Sequence, residues 1–438
     1  MIKILLVGNG AREHCIAEAL TKNGRAELIV YAKARNPGLM KLANVYELGG
    51  LSDAVKLKEI AQKYKPDFAV IGPDDPIADG MADALKEIGI PSVAPLKTLA
   101  RLESSKSFTR DVVKKYNIPG NPQFRVFTSE EGMKAFIAEL GGNYVVKADG
   151  LMGGKGVQVS GEHLATAEDG ISFAQKCIEK FGRVVIEEKF VGQEFSLMSF
   201  VDGKTVVDMP AVQDHKRAYE GDTGPNTGGM GTYSCENHIL PFLKPEDVAA
   251  AHDITVQVMH ALTKETGEVY KGIMYGGFMA VKDGVRLIEY NARFGDPEVM
   301  NVLPILKNDF VEVCQAIIEG RLSELTLEFE KKATVCKYVV PEGYPENPKA
   351  GEKISIDMSQ VGDGARMYYA SVDEKEGEIY LSTSRGIAFV GIAETLEKAE
   401  QLAQKSCTAV KGPVFFRSDV GTHALVQKRI DMMNELRG

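Results

Sequence analysis

Residues that commonly bind metals or carry redox chemistry are few and scattered in this sequence. None of its six cysteines forms a CxxC pair, which argues against a zinc knuckle or a redox motif. The seven histidines show no metal-site spacing, and neither HExxH nor GxSxG occurs. We therefore expect the cysteines to pack as small hydrophobic residues in a reducing cytoplasm.

Long hydrophobic runs and an excess of positive charge are also missing. The apolar stretch at residues 2–7 is too short for a signal peptide or a membrane span. Nucleic acids and anionic membranes need a basic face, whereas the net charge of this chain is −9. We expect neither as a partner, but local lysines, arginines and backbone amides still allow small phosphorylated ligands.

The strand and helix patterns divide the 438 residues into several domains. At the start of the chain, apolar strands alternate with helices, which predicts a parallel sheet covered on both faces. The middle combines short strands with the densest glycine clusters. The final part is dominated by extended segments and turns, until a last helix at residues 394–409. We predict a multidomain α/β and α+β protein with domains at residues 1–102 (α/β), 103–325 and 326–438 (α+β).

A glycine-rich turn at residues 8–14 (GNGAREH) follows the first predicted strand. A dinucleotide fingerprint would lie here, but Glu13 replaces its third glycine and no acidic residue ends the second strand. The dinucleotide interpretation therefore fails. A tight turn and a cradle of amides for a phosphate or sugar phosphate both remain open. This turn and residues 72–76 (GPDDP) follow strands of the predicted sheet, at the edge where open sheets bind ligands.

Two further segments have features of a nucleotide site. Residues 147–157 (KADGLMGGKGV) fit a mobile flap that closes over phosphates, or an ordinary glycine hairpin with a solvated lysine. They are not a Walker A loop, because GxxxxGK[ST] occurs nowhere in the chain. Residues 184–194 (VVIEEKFVGQE) could offer backbone groups to an adenine edge. On these residues alone, an ordinary amphipathic hairpin is the favoured interpretation.

The most informative segment is residues 288–298 (IEYNARFGDPE). On a strand, Glu289 and Asn291 point to one face, and Arg293 follows on that face if the strand continues. A carboxylate and an amide oxygen so placed are hard ligands suited to Mg²⁺, and a guanidinium suits a carboxylate. The alternative is a half-buried polar strand edge, which three aligned polar groups disfavour.

A charged segment at residues 213–217 (QDHKR) and a glycine-rich loop at residues 222–231 (DTGPNTGGMG) suit close approach to a ligand. Together with residues 103–106 (ESSK) and the segments above, they resemble the ATP-grasp superfamily. Within it, the chain is similar to the phosphoribosylamine–glycine ligases (glycinamide ribonucleotide synthetases). The resemblance covers essentially the whole chain. Its specificity comes from the charged segment and the glycine-rich loop, because other ATP-grasp enzymes share the lysines and the Glu-x-Asn but not that loop.

The resemblance implies an ATP-grasp core with a small mobile lid at about residues 121–190. It implies that ATP, glycine and 5-phosphoribosylamine give ADP, phosphate and glycinamide ribonucleotide in purine biosynthesis. ATP and Mg²⁺ (or Mn²⁺) are the implied cofactors, with Glu289 and Asn291 as metal ligands. The residues that match nucleotide contacts are Lys106, Lys147, Lys155, Glu187, Glu188, Phe190 and Glu194. Those expected to contact glycine or phosphoribosylamine are Gly10, Arg12, Glu13, Asp74, Asp214, Lys216, Asn226, Gly228, Arg293 and Asp296. Those expected to act in catalysis are Arg293, Asp214 and Lys155.

The sequence departs from the family pattern in a few places. Asp74 stands where the family generally has glutamate, Lys189 replaces an apolar hinge residue, and residues 383–386 (TSRG) replace a glycine-rich turn. Phosphate-neutralising lysines without a convincing nucleophilic serine or cysteine favour a glycyl phosphate over an acyl-enzyme. The alternatives are another ATP-grasp ligase or carboxylase, and a non-catalytic ATP-binding regulatory protein. We expect a cytoplasmic monomer without an obligate protein partner.

Overall fold

A computed structural model describes residues 1–153 and 156–438 of the chain. The chain begins with a parallel five-stranded sheet in the order β3-β2-β1-β4-β5, which confirms the α/β prediction. Its elements and the two helices that follow are β1 (Ile2–Val7), α1 (Ala11–Thr21), β2 (Ala26–Ala32), α2 (Pro37–Leu42), β3 (Val45–Leu48), α3 (Ala54–Tyr64), β4 (Phe68–Ile71), α4 (Asp74–Asp79), α5 (Met81–Glu87), β5 (Ser92–Val93), α6 (Lys97–Ser104) and α7 (Lys106–Lys115).

A small antiparallel sheet with its own hydrophobic core follows. Its strands lie in the order β6-β9-β7-β8, and buried Phe136, Tyr144 and Ile186 belong to this core. The Thr166 side chain caps α9 by accepting a hydrogen bond from the Asp169 amide. The elements are β6 (Phe124–Phe127), α8 (Met133–Glu139), β7 (Tyr144–Ala148), β8 (Val157–Val159), α9 (Ala167–Phe181) and β9 (Val184–Glu188).

The next part supports the strand that was predicted to carry the metal ligands. Its main sheet has the order β11-β10-β16-β17 and its strands are antiparallel. Two short 3₁₀ turns lie at Leu303–Ile305 and Leu322–Glu324. The elements are β10 (Gln193–Val201), β11 (Val206–Asp208), β12 (Gln213–Asp214), β13 (Arg217–Tyr219), β14 (Thr223–Asn226), β15 (Gly231–Ser234), α10 (Pro245–Thr266), β16 (Gly272–Val281), β17 (Gly284–Asn291), α11 (Val299–Val302) and α12 (Phe310–Glu319).

The C-terminal part contains antiparallel sheets and two long helices. One sheet runs β12-β15-β18-β23-β20, so two strands from the middle of the chain complete it. The other runs β21-β22-β19-β24, and a 3₁₀ turn lies at Met358–Gln360. The elements are β18 (Ala333–Pro341), β19 (Lys353–Ile356), β20 (Ala365–Tyr369), β21 (Val372–Lys375), β22 (Glu378–Leu381), β23 (Ile387–Ala393), α13 (Leu396–Cys407), β24 (Val410–Lys411), β25 (Val414–Phe415) and α14 (His423–Arg437).

A shared hydrophobic core fixes these parts against one another. One buried cluster includes Ile4 of β1, Phe200 of β10 and Tyr338 of β18. Phe294, three residues after β17, belongs to the same cluster, so the turn after β1 and the segment after β17 are held on a common scaffold. No helix in the described part of the chain combines the length and the apolar character that crossing a membrane requires.

One element prediction was wrong. The helix expected at residues 394–409 forms as α13, but it is not the last helix, because α14 follows it. The Thr422 side chain accepts a hydrogen bond from the Leu425 amide and starts α14, which buries Leu425, Val426 and Met433. Charged residues interrupt the apolar positions of this segment, so its periodicity is weak in the sequence.

Candidate active site

The two predicted metal ligands lie at the end of β17. Glu289 is opposite Gly277 of β16, and Asn291 is opposite Tyr275. Since Gly277 has no side chain, space stays open beside Glu289. Gly277 and Glu289 line a pocket of about 310 Å³. The strand ends at Asn291, so the expected continuation to Arg293 does not form. Arg293 Nη2 nevertheless lies 3.4 Å from Asn291 Oδ1.

Positive side chains surround the Glu289 carboxylate. Lys106 Nζ lies 2.9 Å from Glu289 Oε2. Burial acts to raise the pKa of Glu289, but the charges of Lys106, Lys216 and Lys147 outweigh it and hold this pKa well below its usual range. A second pocket, of about 210 Å³, is lined by Glu289, Lys106 and Lys147. An ionised carboxylate among ammonium groups suits a divalent cation together with phosphates.

Glu194 and Lys216 form an ion pair in the first pocket. Lys216 Nζ lies 2.9 Å from Glu194 Oε2. The negative charge of Glu194 raises the pKa of Lys216 above its usual range, because this attraction outweighs burial. The residues that line the pocket are Glu194, Phe195, Ser196, Asp214, Lys216, Tyr275, Gly277, Ile288 and Glu289.

Asp149, which the sequence did not identify as a site residue, holds the start of α7. Its carboxylate accepts hydrogen bonds from the Ser107 amide at 2.9 Å, from Ser107 Oγ at 2.6 Å and from Ser105 Oγ at 3.1 Å. Ser105 also caps α7 by accepting from the Phe108 amide at 3.2 Å. Lys106 lies between these two serines, so Asp149 positions its backbone. In the sequence, only its location between Lys147 and the glycine cluster could have indicated that Asp149 belongs to the site.

A buried ion triad connects α7, β7 and β9. Arg110 lies 2.8 Å from one carboxylate oxygen of Glu187, and Lys147 Nζ lies 2.5 Å from the other. Lys147 also donates to the Ile288 carbonyl at 2.8 Å. Burial lowers the pKa of Lys147, and Glu187 opposes this effect. The Glu187 carboxylate therefore faces Arg110 and Lys147. Arg110 was missed, because a lone arginine in a helix matches no motif.

The two nucleotide lysines are expected to respond differently to substitution. Lys106→Ala should weaken ATP binding with only a small loss of melting temperature, because its side chain is 16% exposed, compared with 4% for Lys147. Lys147→Ala should also cost about 1–3 kcal/mol of folding stability, since it breaks a buried charged contact. Calorimetric ATP titration and thermal melting measure the two effects. Unchanged ATP affinity in both variants would contradict the nucleotide assignment.

A second charged cluster surrounds Arg293. Its Nη2 lies 2.8 Å from Glu103 Oε1, and its buried Nε has no hydrogen-bond partner among the described residues. Burial acts to raise the pKa of Asp74, but the charges of Arg293 and Arg12 outweigh it and lower this pKa. The structure therefore brings together Arg293, Asp74 and Arg12, which the sequence had placed in separate motifs.

The turn after β1 is built around the buried Glu13 side chain. Its carboxylate accepts from the Gly10 amide at 2.6 Å and lies 2.6 Å from Arg12 Nε. A Cβ atom on Gly72 would lie 2.1 Å from Glu13 Oε1, and one on Gly8 would lie 2.5 Å from Glu13 Cγ. Both glycines therefore make room for Glu13, which fills the position that a dinucleotide fingerprint gives to glycine.

The other predicted substrate residues lie near the glycine-rich loop. Burial and the neighbouring Glu298 raise the pKa of Asp214 well above its usual range. Asn226 is the last residue of β14, and Gly228 follows it in the loop. Asp296 Oδ1 accepts a hydrogen bond from the Tyr338 hydroxyl at 2.6 Å.

The predicted hinge residues lie where the small sheet joins β10. Glu188 ends β9, and its carboxylate accepts from the Gln123 amide at 3.2 Å. Phe190 lies in the connection between β9 and β10. Lys155 falls outside the described residues.

Comparison with known proteins decides the family. Three family models match the chain: the N domain of phosphoribosylglycinamide synthetase at residues 2–103, its ATP-grasp (A) domain at 104–299 and its C domain at 334–423. A relative from Methanocaldococcus jannaschii, described as phosphoribosylamine–glycine ligase, is 50% identical over 100% of both chains. The chain belongs to the phosphoribosylamine–glycine ligase family. A ligase of the same description from Pyrococcus furiosus is 49% identical over 100% of this chain and 98% of its own.

One solved structure gives the same family, and a second shows the same fold. The crystal structure of phosphoribosylamine–glycine ligase from Thermotoga maritima matches with a TM-score of 0.80 and 29% identity, over 95% of this chain and 100% of that one. A biotin carboxylase domain from Hydrogenobacter thermophilus has a TM-score of 0.74 at 15% identity, over 99% of this chain and 93% of that one, which shows the fold alone. Membership of the phosphoribosylamine–glycine ligases confirms the predicted ATP-grasp ligase and favours neither alternative.

Proposed function

We propose that this chain uses ATP to join glycine to 5-phosphoribosylamine through a glycyl phosphate, giving glycinamide ribonucleotide, ADP and phosphate. The observation that carries the proposal is the Glu289 carboxylate, which lies 2.9 Å from Lys106 Nζ and lines pockets with Lys147 and Lys216. Arg293 Nη2 lies nearby, 3.4 Å from Asn291 Oδ1. This arrangement pairs a charge-neutralising site for phosphoryl transfer with a guanidinium suited to a substrate carboxylate.

The donor set fits ATP with Mg²⁺ or Mn²⁺. Among residues 1–153 and 156–438, no group of three or more His, Cys, Asp or Glu side chains could hold a metal ion. Glu289 and Asn291 would therefore share the ion with phosphate oxygens, as Mg²⁺ sites in ATP-dependent enzymes do. The bound ion would offset charge on the transferring phosphoryl group. Lys106 and Lys147 would contact the phosphates, while Glu188, Phe190 and Glu194 would contact the nucleoside.

Arg293 is proposed to orient the glycine carboxylate. Glu103 fixes one edge of the guanidinium through the 2.8 Å contact with Nη2. Nε is buried and has no hydrogen-bond partner in the described part of the chain, so the guanidinium retains unmet hydrogen-bonding capacity. The planar fork of donors matches the two oxygens of a carboxylate.

Substitution of Arg293 should therefore separate the two substrates. Arg293→Lys keeps the charge but loses the paired donors, so we expect the KM for glycine to rise by about tenfold or more and the KM for ATP to change little. Steady-state kinetics measure both constants. Arg286→Lys, on the strand β17 that precedes Arg293, is the matched control and should leave both unchanged. An effect on ATP alone would contradict the assigned role.

Asp214 is proposed to assist attack by the amine. Asp214 lines the same pocket as Glu289 and Lys216, and its raised pKa favours uptake of a proton. The amine nitrogen of phosphoribosylamine would attack the acyl carbon of the glycyl phosphate, the bond from that carbon to the phosphate oxygen would break, and phosphate would leave. The amine proton would pass to the Asp214 carboxylate. Lys155 lies outside the described residues, and its role in catalysis stays a prediction.

The phosphoribosyl group is proposed to lie between the turn after β1 and the glycine-rich loop. The residues assigned to it are Gly10, Arg12, Glu13, Asp74, Lys216, Asn226, Gly228 and Asp296. Glu13 would act indirectly, by fixing Gly10 and Arg12. All six cysteines are buried and free, which supports a reducing cytoplasm.

Phosphate release tests the proposed function directly. ATP hydrolysis is measured with no addition, with glycine, with freshly generated phosphoribosylamine, and with both. Release should require both substrates and equal the amount of glycinamide ribonucleotide formed. ATP binding without release would support a regulatory protein instead. Release that requires bicarbonate would support a carboxylase.

A further inference from the structure

Arg385 belongs to a loop of the C-terminal part that reaches the proposed substrate site. It lies between β22 and β23, in a segment that departs from the family pattern. Its backbone is held firmly, because the Arg385 carbonyl accepts from the Ser371 amide at 2.9 Å. The next amide, that of Gly386, donates to the Val339 carbonyl of β18 at 3.0 Å.

The guanidinium of Arg385 connects two substrate segments. Nη1 donates to the carbonyls of Gly228 at 2.7 Å, Gly229 at 2.9 Å and Asp296 at 3.0 Å. Nη2 lies 3.2 Å from the Asp296 carboxylate, and the group stacks 4.4 Å from the centre of the Tyr338 ring. A planar group with several donors can make these contacts together, whereas a lysine cannot.

The peptide that Arg385 holds lies against Asp214, a proposed substrate residue, and against Pro297. Gly229 has φ +107, and a Cβ atom there would lie 2.7 Å from Asp214 Oδ1 and 2.7 Å from Pro297 Cδ. On the other side, a Cβ atom on Gly10 would lie 3.9 Å from Asp296 Oδ2. The glycine-rich loop, Asp214, Asp296 and the turn after β1 thus converge around the group that Arg385 fixes.

We propose that Arg385 is a positioning residue for phosphoribosylamine. By holding the 228–229 peptide against Asp296, it fixes the distance between Asp214 and the turn after β1. The C-terminal part of the chain thereby helps to build the amine site, although it lies far from the nucleotide residues in sequence. The inference rests on the proposed function, because it assigns a role within that same site.

A matched pair of arginines tests the role. Arg437 makes two 2.8 Å contacts with Asp247, and its side chain is 11% exposed, compared with 13% for Arg385. Arg385→Gln should raise the KM for phosphoribosylamine by about tenfold or more. The KM for ATP should change by less than about twofold. Arg385→Lys should give an intermediate KM, and Arg437→Gln should lower the melting temperature without changing either constant.

The outcomes separate positioning from a merely structural contact. Arg385→Gln with a lowered melting temperature but unchanged constants would overturn the inference, as would equal shifts for ATP and phosphoribosylamine. If Arg385→Gln does not fold, the KM values of Arg385→Lys for phosphoribosylamine and ATP take its place. A higher KM for phosphoribosylamine alone supports positioning, and unchanged or equally shifted KM values overturn it. Wild-type protein that forms no product from both substrates would overturn the proposed function on which the inference rests.

Discussion

Turnover should fall by at least roughly a hundredfold when Glu289→Gln is combined with Asn291→Ala, at ordinary Mg²⁺ concentrations. Losing about 3 kcal/mol of transition-state stabilisation is enough for this effect. Glu289 is ionised and has room beside it because Gly277 faces it. Glutamine keeps the size of the side chain but removes its charge, so the affinity for the metal should decrease.

The same variant should keep its affinity for metal-free ATP. Glu289 pairs with Lys106, and losing the carboxylate leaves that ammonium available to phosphate. Rate measurements across a Mg²⁺ titration and calorimetry in EDTA test the two expectations. Glu328→Gln provides the control, since Glu328 pairs with Lys307 and its side chain is 59% exposed. Turnover near the wild-type rate would mean that Glu289 is only a strand-edge residue.

Much of the fold could be predicted because its elements have local causes. The strand β1 was predicted from a short apolar run, and the alternation of strands with helices predicted the parallel sheet. The α14 helix was missed, since its charged residues obscure the apolar face. The pairing of β15 with β18 connects segments about a hundred residues apart, and no short pattern reports such a contact.

Site residues that alternate along one strand could be predicted from the sequence. Site residues that act through contacts with distant segments could not. Glu289 and Asn291 alternate on β17, so their common face could be deduced. Arg110, Asp149 and Arg385 act through contacts with segments far away in sequence, such as the 157 residues that separate Arg385 from Gly228. Their roles depend on tertiary packing, which no motif in the sequence encodes.

The chemical route has the clearest expected outcome. A carboxylate is a poor acyl donor because oxide or hydroxide would have to leave, whereas phosphorylation supplies a stable leaving group. All six cysteines are buried, and burial raises the pKa of the Cys235 thiol to about 12. A thiol so disfavoured from ionising is a poor nucleophile. The lysines around Glu289 favour phosphoryl transfer to glycine instead.

Isotope transfer therefore tests the glycyl phosphate. Glycine labelled with ¹⁸O in both carboxylate oxygens should pass one labelled oxygen to each released phosphate, because the oxygen that attacks ATP leaves with the phosphoryl group. The second label should remain in the amide carbonyl of the product. Mass spectrometry of phosphate and product measures both. Unlabelled glycine in ¹⁸O water is the control, and its phosphate should carry no label. Unlabelled phosphate from labelled glycine, with normal product formation, would rule out the acyl phosphate route. A glycyl phosphate cannot give product without passing one glycine oxygen to the released phosphate.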